Sequence, residues 1–136
     1  MSVITASTKE YLSGKDGTLS KFVPMLDFCA EHTQFPRKRL RDSMQEMIWR
    51  IGYKDAELGI EKGTRNSVIG VSSNDDEGKI RGKRACDILI EEMGTFPRLL
   101  DLYNVLLPSV QEGDIAFGQI YMLGTAGDDE SDFAGA

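Results

Sequence analysis

Cysteine and histidine are scarce. Cys29 and Cys86 stand 57 positions apart without CxxC spacing, and His32 is the sole histidine. That leaves too few soft ligands for a zinc site and excludes a disulfide-dense fold. Long apolar runs are missing too: none approaches the roughly 18 residues of a membrane span. The opening MSVITASTKEYLSGKDG lacks the basic-then-apolar pattern of a secretory leader. These absences point to a reducing, cytoplasmic compartment and no membrane. Positive charge is the minority sign, with 16 basic against 22 acidic side chains and a net charge of −6. A freestanding module that holds nucleic acid by bulk electrostatics is thereby excluded, although a local basic strip is not. Trp49 is the single tryptophan, so the core is its expected place rather than a base-stacking series.

What is present fits one domain, or a piece of a larger one: 136 residues, where domains run to roughly 100–200. With 40% hydrophobic and 28% charged residues, collagen-like, low-complexity and wholly disordered classes fall away. Leu19, Phe22, Val23, Leu26 and Phe28 or Cys29 recur at helical steps behind Gly17 and Thr18, which predicts a helix start there. Residues 1–43 read as a helical upstream segment and 44–136 as a sheet core. Arg37, Lys38, Arg39 and Arg41 form the strongest basic cluster, read first as a solvated helical face and second as a phosphate contact.

The later half of MQEMIWRIGY (44–53) is expected to be a strand, ELGIEKG (57–63) a turn region, and SVIGV (67–71) a short buried strand. CDILI (86–90) suits a strand buried on both faces, with Cys86 as a small core residue. Pro97 opens a helix whose Leu99, Leu100, Leu102, Tyr103, Leu106 and Leu107 make a leucine stripe, with Pro108 straining its last turn. IAFGQIYML (115–123) is the next expected strand. Strand, helix, strand predicts a parallel α/β unit.

The informative constellation is Asp87-Ile88-Leu89-Ile90-Glu91-Glu92. An apolar strand ending in two carboxylates suits a Walker B motif, in which one acid holds magnesium and the next orients the attacking water. Consecutive strand residues face opposite sides, which would give the two acids different tasks. By itself this pattern is also what any buried strand before an acidic helix start would show. Arg81-Gly82 stands on the loop feeding the same strand, and the following strand ends in Gly124-Thr125-Ala126-Gly127. Ligands of α/β sheets bind at that carboxyl edge, so the three signals converge on one crevice. His32 reads as a cap or packing residue, and Asp128, Asp129, Glu130 and Asp132 as a solvated turn without EF-hand spacing.

The stretch IRGKRACDILIEEMGTFPRLLDLYNVLLPSV, followed by FGQIYMLGTAGDDESDFAGA, resembles the ATPase domain of the large terminase subunit, the DNA-packaging motor of tailed bacteriophages. DFCAEHTQFPRKRL (27–40) resembles an insertion those proteins carry, and the likeness spans about residues 11 to 136. It implies a partial P-loop NTPase of the additional-strand, RecA-like kind: a three-layer α/β sandwich with a mainly parallel sheet. In it, 86–90 lies between 67–71 and 116–123. By the same resemblance Glu91 is the metal-side acid, Glu92 the catalytic glutamate and Arg81 the arginine that stabilises phosphoryl-transfer charge. Gly124 and Thr125 belong to the coupling motif at the nucleotide site.

The implied cofactors are ATP and Mg2+. The implied partners are double-stranded DNA, the small terminase subunit and the portal, with a homo-oligomer in the host cytoplasm. The pattern departs from the family at the phosphate-cradling loop. Its nearest candidate, Ser13-Gly14-Lys15-Asp16, has Asp16 in place of the hydroxyl residue and Lys9 in place of the first glycine. The acidic triad of the nuclease domain is likewise absent, so this chain alone is expected to be inactive. Two other classes remain: a non-catalytic interaction module on a remnant fold, and an unrelated hydrolase using Glu91 and Glu92 as a pair. The latter lacks an accompanying nucleophile.

Overall fold

The computed structural model describes residues 1–35, 38–72 and 84–125. Its centre is a strand at the start of the chain, β1 (Ser2–Ala6), which pairs in parallel with β6 (Ser67–Ser72) on one side and β7 (Asp87–Ile90) on the other. β10 (Gln119–Met122) adds in parallel beyond β7. β3 (Ile48–Ile51) pairs antiparallel with β6, and β2 (Arg39–Ser43) closes the far side. The order is β10-β7-β1-β6-β3-β2, a mainly parallel six-stranded sheet in an α/β fold, with β4 (Tyr53–Lys54) and β5 (Glu61–Lys62) forming a separate antiparallel pair.

Alternation along the central strands feeds two cores. Val3, Val71, Ile88 and Ile90 face α3 (Leu99–Leu106), whose Leu102 and Leu106 complete that cluster with Phe96 and Val110. Ile4 and Ala6 face the opposite way, against Leu12 of α1 (Lys9–Ser13) and Leu19 of α2 (Thr18–His32), with Met47 and Trp49 beside them. Gly70 makes that second packing possible. A Cβ there would lie 2.6 Å from Leu19 Cδ1. Burying each of these leucines is worth about 1.5–3 kcal/mol.

The two helices stand where their spacing places them, although Phe28, Cys29 and Leu100 of the expected stripes are exposed. α2 starts at Thr18 behind Gly17, and α3 tightens into a 3₁₀ turn over Leu107–Ser109, where Pro108 cannot continue the α-helical bonding. The strands expected in the later half of 44–53, at 67–71 and at 86–90 appear as β3, β6 and β7, and β7–α3–β10 is a parallel unit.

Three expectations need correction. Residues 1–43 are not wholly helical, because Ser2–Ala6 is the central strand and Arg39–Ser43 an edge strand. The β-branched run Val3-Ile4-Thr5 packs on both sheet faces, which favours extended backbone. The segment 115–123 is two strands: β9 (Ile115–Ala116) pairs with β8 (Gln111–Glu112), and the chain then breaks at Gly118. A Cβ at Gly118 would lie 2.5 Å from the Ala85 carbonyl, so only glycine lets the chain pass there. The 87–90 strand does lie between 119–122 and 67–72, with β1 interposed on the 67–72 side. Cys86 is exposed rather than packed, as it precedes β7 instead of lying in it.

The flank of the sheet carries ion pairs. Arg39 on β2 bonds Asp42 at 2.6 Å and also pairs with Asp27 of α2. Partial burial would lower the Arg39 pKa, but the two carboxylates outweigh it and the pKa is raised. Arg41 bonds Glu46, so these two members of the basic cluster are committed to carboxylates, whereas Lys38 lies over the ring of Tyr53. Arg37 lies outside the described residues. His32 accepts its packing role: Nδ1 is 3.0 Å from the Phe28 carbonyl, and its ring stacks on Phe28.

Candidate functional site at the carboxyl edge of the sheet

Three parallel strands end together: β1 at Ala6, β7 at Ile90 and β10 at Met122. Just past these ends the chain brings Glu91, Glu92, Gly124 and Thr125 into one neighbourhood. The Glu91 amide donates to the Thr5 carbonyl at 2.8 Å, extending the β1–β7 ladder by one residue. By the alternation of β7, Glu91 shares the face of Leu89, the side of α1 and α2.

Glu92 departs from that alternation. Its backbone is left-handed, φ 51° and ψ 53°, a conformation that costs a non-glycine residue of order 1–3 kcal/mol and clusters at functional sites. The strand has ended, so the expected opposition of the two acids across the sheet does not set the direction of Glu92. A local frame sets its backbone instead. The Thr95 amide and hydroxyl both donate to the Glu92 carbonyl, at 2.9 and 2.8 Å, and that hydroxyl accepts from Ser7 at 2.6 Å. From the β10 side the Leu123 carbonyl accepts from the Met93 amide at 2.9 Å. Gly124 then lies against the turn so closely that a Cβ would stand 2.6 Å from the Met93 nitrogen and 2.9 Å from the Glu92 Cα.

Of the sequence-derived set, the structure thus joins Glu91, Glu92 and Gly124, with exposed Thr125 next in the chain. Arg81, with Gly82, lies outside the described residues, as do 126–136. Ser7 and Thr95 escaped sequence reasoning because 88 positions separate them. Ser7 follows directly on β1, so recognition of that strand would have placed a hydroxyl at this edge.

Both glutamates are partly buried. Two carboxylates offer hard oxygen ligands of the type magnesium takes, so the donor chemistry fits that ion, although no group of three metal-binding side chains occurs among the described residues. No glycine-rich cradle for a triphosphate occurs among them. A cavity of about 290 Å³ opens at the other end of the strands, lined by Ser2, Phe22, Trp49, Ser67 and Asp87. A concavity of about 420 Å³ lies near Lys9, Arg41 and Ser72. The carboxylates line neither; they stand at an open edge.

Thr5, one strand over, is fully buried, and its hydroxyl is without a hydrogen-bond partner among the described residues. A buried orphan hydroxyl costs about 1–3 kcal/mol, so Thr5→Val should raise stability by about 1 kcal/mol. An increased urea midpoint at constant m-value is the expected reading. A lowered midpoint would show that the hydroxyl is satisfied.

No protein-family model, curated protein or solved structure matches this chain. No helix among the described residues is long and apolar enough to cross a membrane.

Proposed function

We propose that this chain is part of a viral DNA-packaging ATPase, the large terminase subunit, whose intact parent hydrolyses ATP to drive double-stranded DNA into a procapsid. The observation that carries this reading is the seating of Gly124 on the backbone of Glu92: the loop after β10 touches the turn that holds the second carboxylate. A change at Glu92 therefore reaches β10 without an intermediary, which is what coupling hydrolysis to movement requires. The strand order supports the same reading, because β10 borders β7 and presents its other edge for the strand of a Walker A loop.

In this reading Glu91 would hold a magnesium ion and Glu92 would accept a proton from the attacking water. Arg81, which precedes β7 in the sequence, would stabilise charge on the transferred phosphoryl group, with Thr125 beside the nucleotide. Bound magnesium supplies charge neutralisation at the phosphate oxygens. The sequence contains no G-x-x-x-x-G-K-[ST] motif to hold the phosphates in line, so the chain by itself is expected to turn over no ATP. DNA, the small terminase subunit and the portal are partners of the parent in the host cytoplasm.

In the full-length parent, Glu92→Gln should preserve ATP binding while cutting turnover about 10²-fold or more, since only water activation is lost. Arg81→Ala should cost about 10³ in turnover at near-unchanged nucleotide affinity. Filter binding with labelled ATP and steady-state phosphate release separate the two quantities. Equal loss of binding and turnover in Glu92→Gln would give Glu92 a structural role and remove the reading's base. The second reading, a non-catalytic interaction module, is favoured by the missing phosphate cradle; turnover unaffected by either substitution would select it.

A further inference from the structure

We infer that two copies of this chain join edge to edge through β10, antiparallel, so that their sheets become one. The inference concerns this chain by itself: the ATPase reading assigns the same edge to a strand of the intact parent, so the two pairings exclude each other, and sedimentation reads this one without reference to ATP turnover. β10 ends the sheet order, with β7 on one side and no strand on the other among the described residues. Its inward groups are fixed by bonds: the Gln119 amide donates to the Cys86 carbonyl, the Leu123 amide to the Ile90 carbonyl, and the Leu123 carbonyl accepts from Met93. Strand groups alternate, so the amides and carbonyls of Ile120 and Met122 face outward, without a partner among the described residues.

The occupant is a second copy for three reasons. From Ile115 to Thr125 the chain contains no charged residue and no proline, the devices that keep edge strands apart. Two such strips therefore meet without a like-charge clash. Placing a two-fold axis at Tyr121 sets Ile120 opposite Met122 of the partner subunit, so both outward residues of each copy exchange hydrogen bonds, four in all by this register. Tyr121, 46% exposed, then faces its equivalent across the axis as a close aromatic pair, with exposed Leu123 flanking it.

The opposite edge explains why assembly stops at two. β2 is bulged between Arg39 and Arg41, and both arginines are engaged with carboxylates at that edge. It is blunted as edge strands usually are, so a head-to-tail β10–β2 contact is disfavoured and the symmetric contact closes the assembly.

Sedimentation equilibrium tests this on the chain itself. The expected mass at high concentration is twice 15.1 kDa, falling to one copy on dilution. Added salt should strengthen association, since screening eases repulsion between chains of net charge −6. Met122→Pro removes an outward amide and no bond to β7, so it should weaken association about tenfold or more at unchanged circular dichroism. Met122→Lys places a charge at the seam and carries the same expectation if the proline variant misfolds. The amides of Ile120 and Met122 should exchange more slowly in the concentrated sample. A chain monomeric at every concentration overturns the inference. So does a dimer that survives both Met122 variants, or one that dissolves only with Phe28→Glu on the exposed apolar face of α2.

Discussion

Gly124→Ala is expected to destabilise the fold by about 3 kcal/mol, through two effects that add. The residue has φ +150°, which L side chains rarely adopt, and such strain costs of order 1–3 kcal/mol. The added methyl group would also overlap backbone rather than a flexible side-chain tip, 2.6 Å from the Met93 nitrogen. Relief requires lifting the loop, which breaks the bond from the Met93 amide to the Leu123 carbonyl and releases the left-handed turn at Glu92. Gly59→Ala is the control, since its φ of +67° carries strain but its Cβ would meet nothing within 4 Å. It should cost about 1 kcal/mol. Urea unfolding followed by circular dichroism gives both numbers. Equal losses at the two positions would show that the contact between the β10 loop and Glu92 contributes nothing.

Trp49→Ala should remove about 4 kcal/mol, within the 3–5 kcal/mol typical of a buried aromatic truncation. The indole is 2% exposed, meets Phe22 edge-on at 5.9 Å, and donates from Nε1 to Asp42 at 2.9 Å across the β2–β3 pair. Truncation leaves a cavity beside Leu19 and Met47 and frees β2 from its anchor to the core. With total stabilities of about 5–15 kcal/mol, little would remain. Circular dichroism is the correct probe because Trp49 is the chain's sole indole fluorophore. A loss below about 1 kcal/mol would mean that the helices collapse onto the vacated site.

Legibility in the sequence followed the range of the interactions. The α2 and α3 stripes were readable because their spacing is local, and β6 and β7 because short apolar runs between polar loops have few other homes. β2 was not, because arginine-rich RLRDS has helical propensity, and it becomes a strand only by pairing with β3 and by the Trp49–Asp42 bond. β1 was hidden by its five-residue length beside a long helical pattern. At the site, the carboxylate pair and Gly124 could be read from strand ends. The hydroxyls that frame Glu92 could not, since only the folded sheet brings Ser7 to Thr95.

The position of β1 also governs the order in which the molecule can assemble. The central strand is synthesised long before its neighbours: Ser2 meets Val68 in one partner strand and Asp87 in the other, the latter 85 positions along the chain. Closing loops of that size precedes any gain from the parallel ladder, which makes such folds slow. While the polypeptide grows, Val3-Ile4-Thr5 must wait without a partner, and α1 and α2 have half of their core missing. The nascent chain is thus most prone to misassociation over the interval before Ile90 emerges, a hazard set by topology rather than by the finished structure's stability.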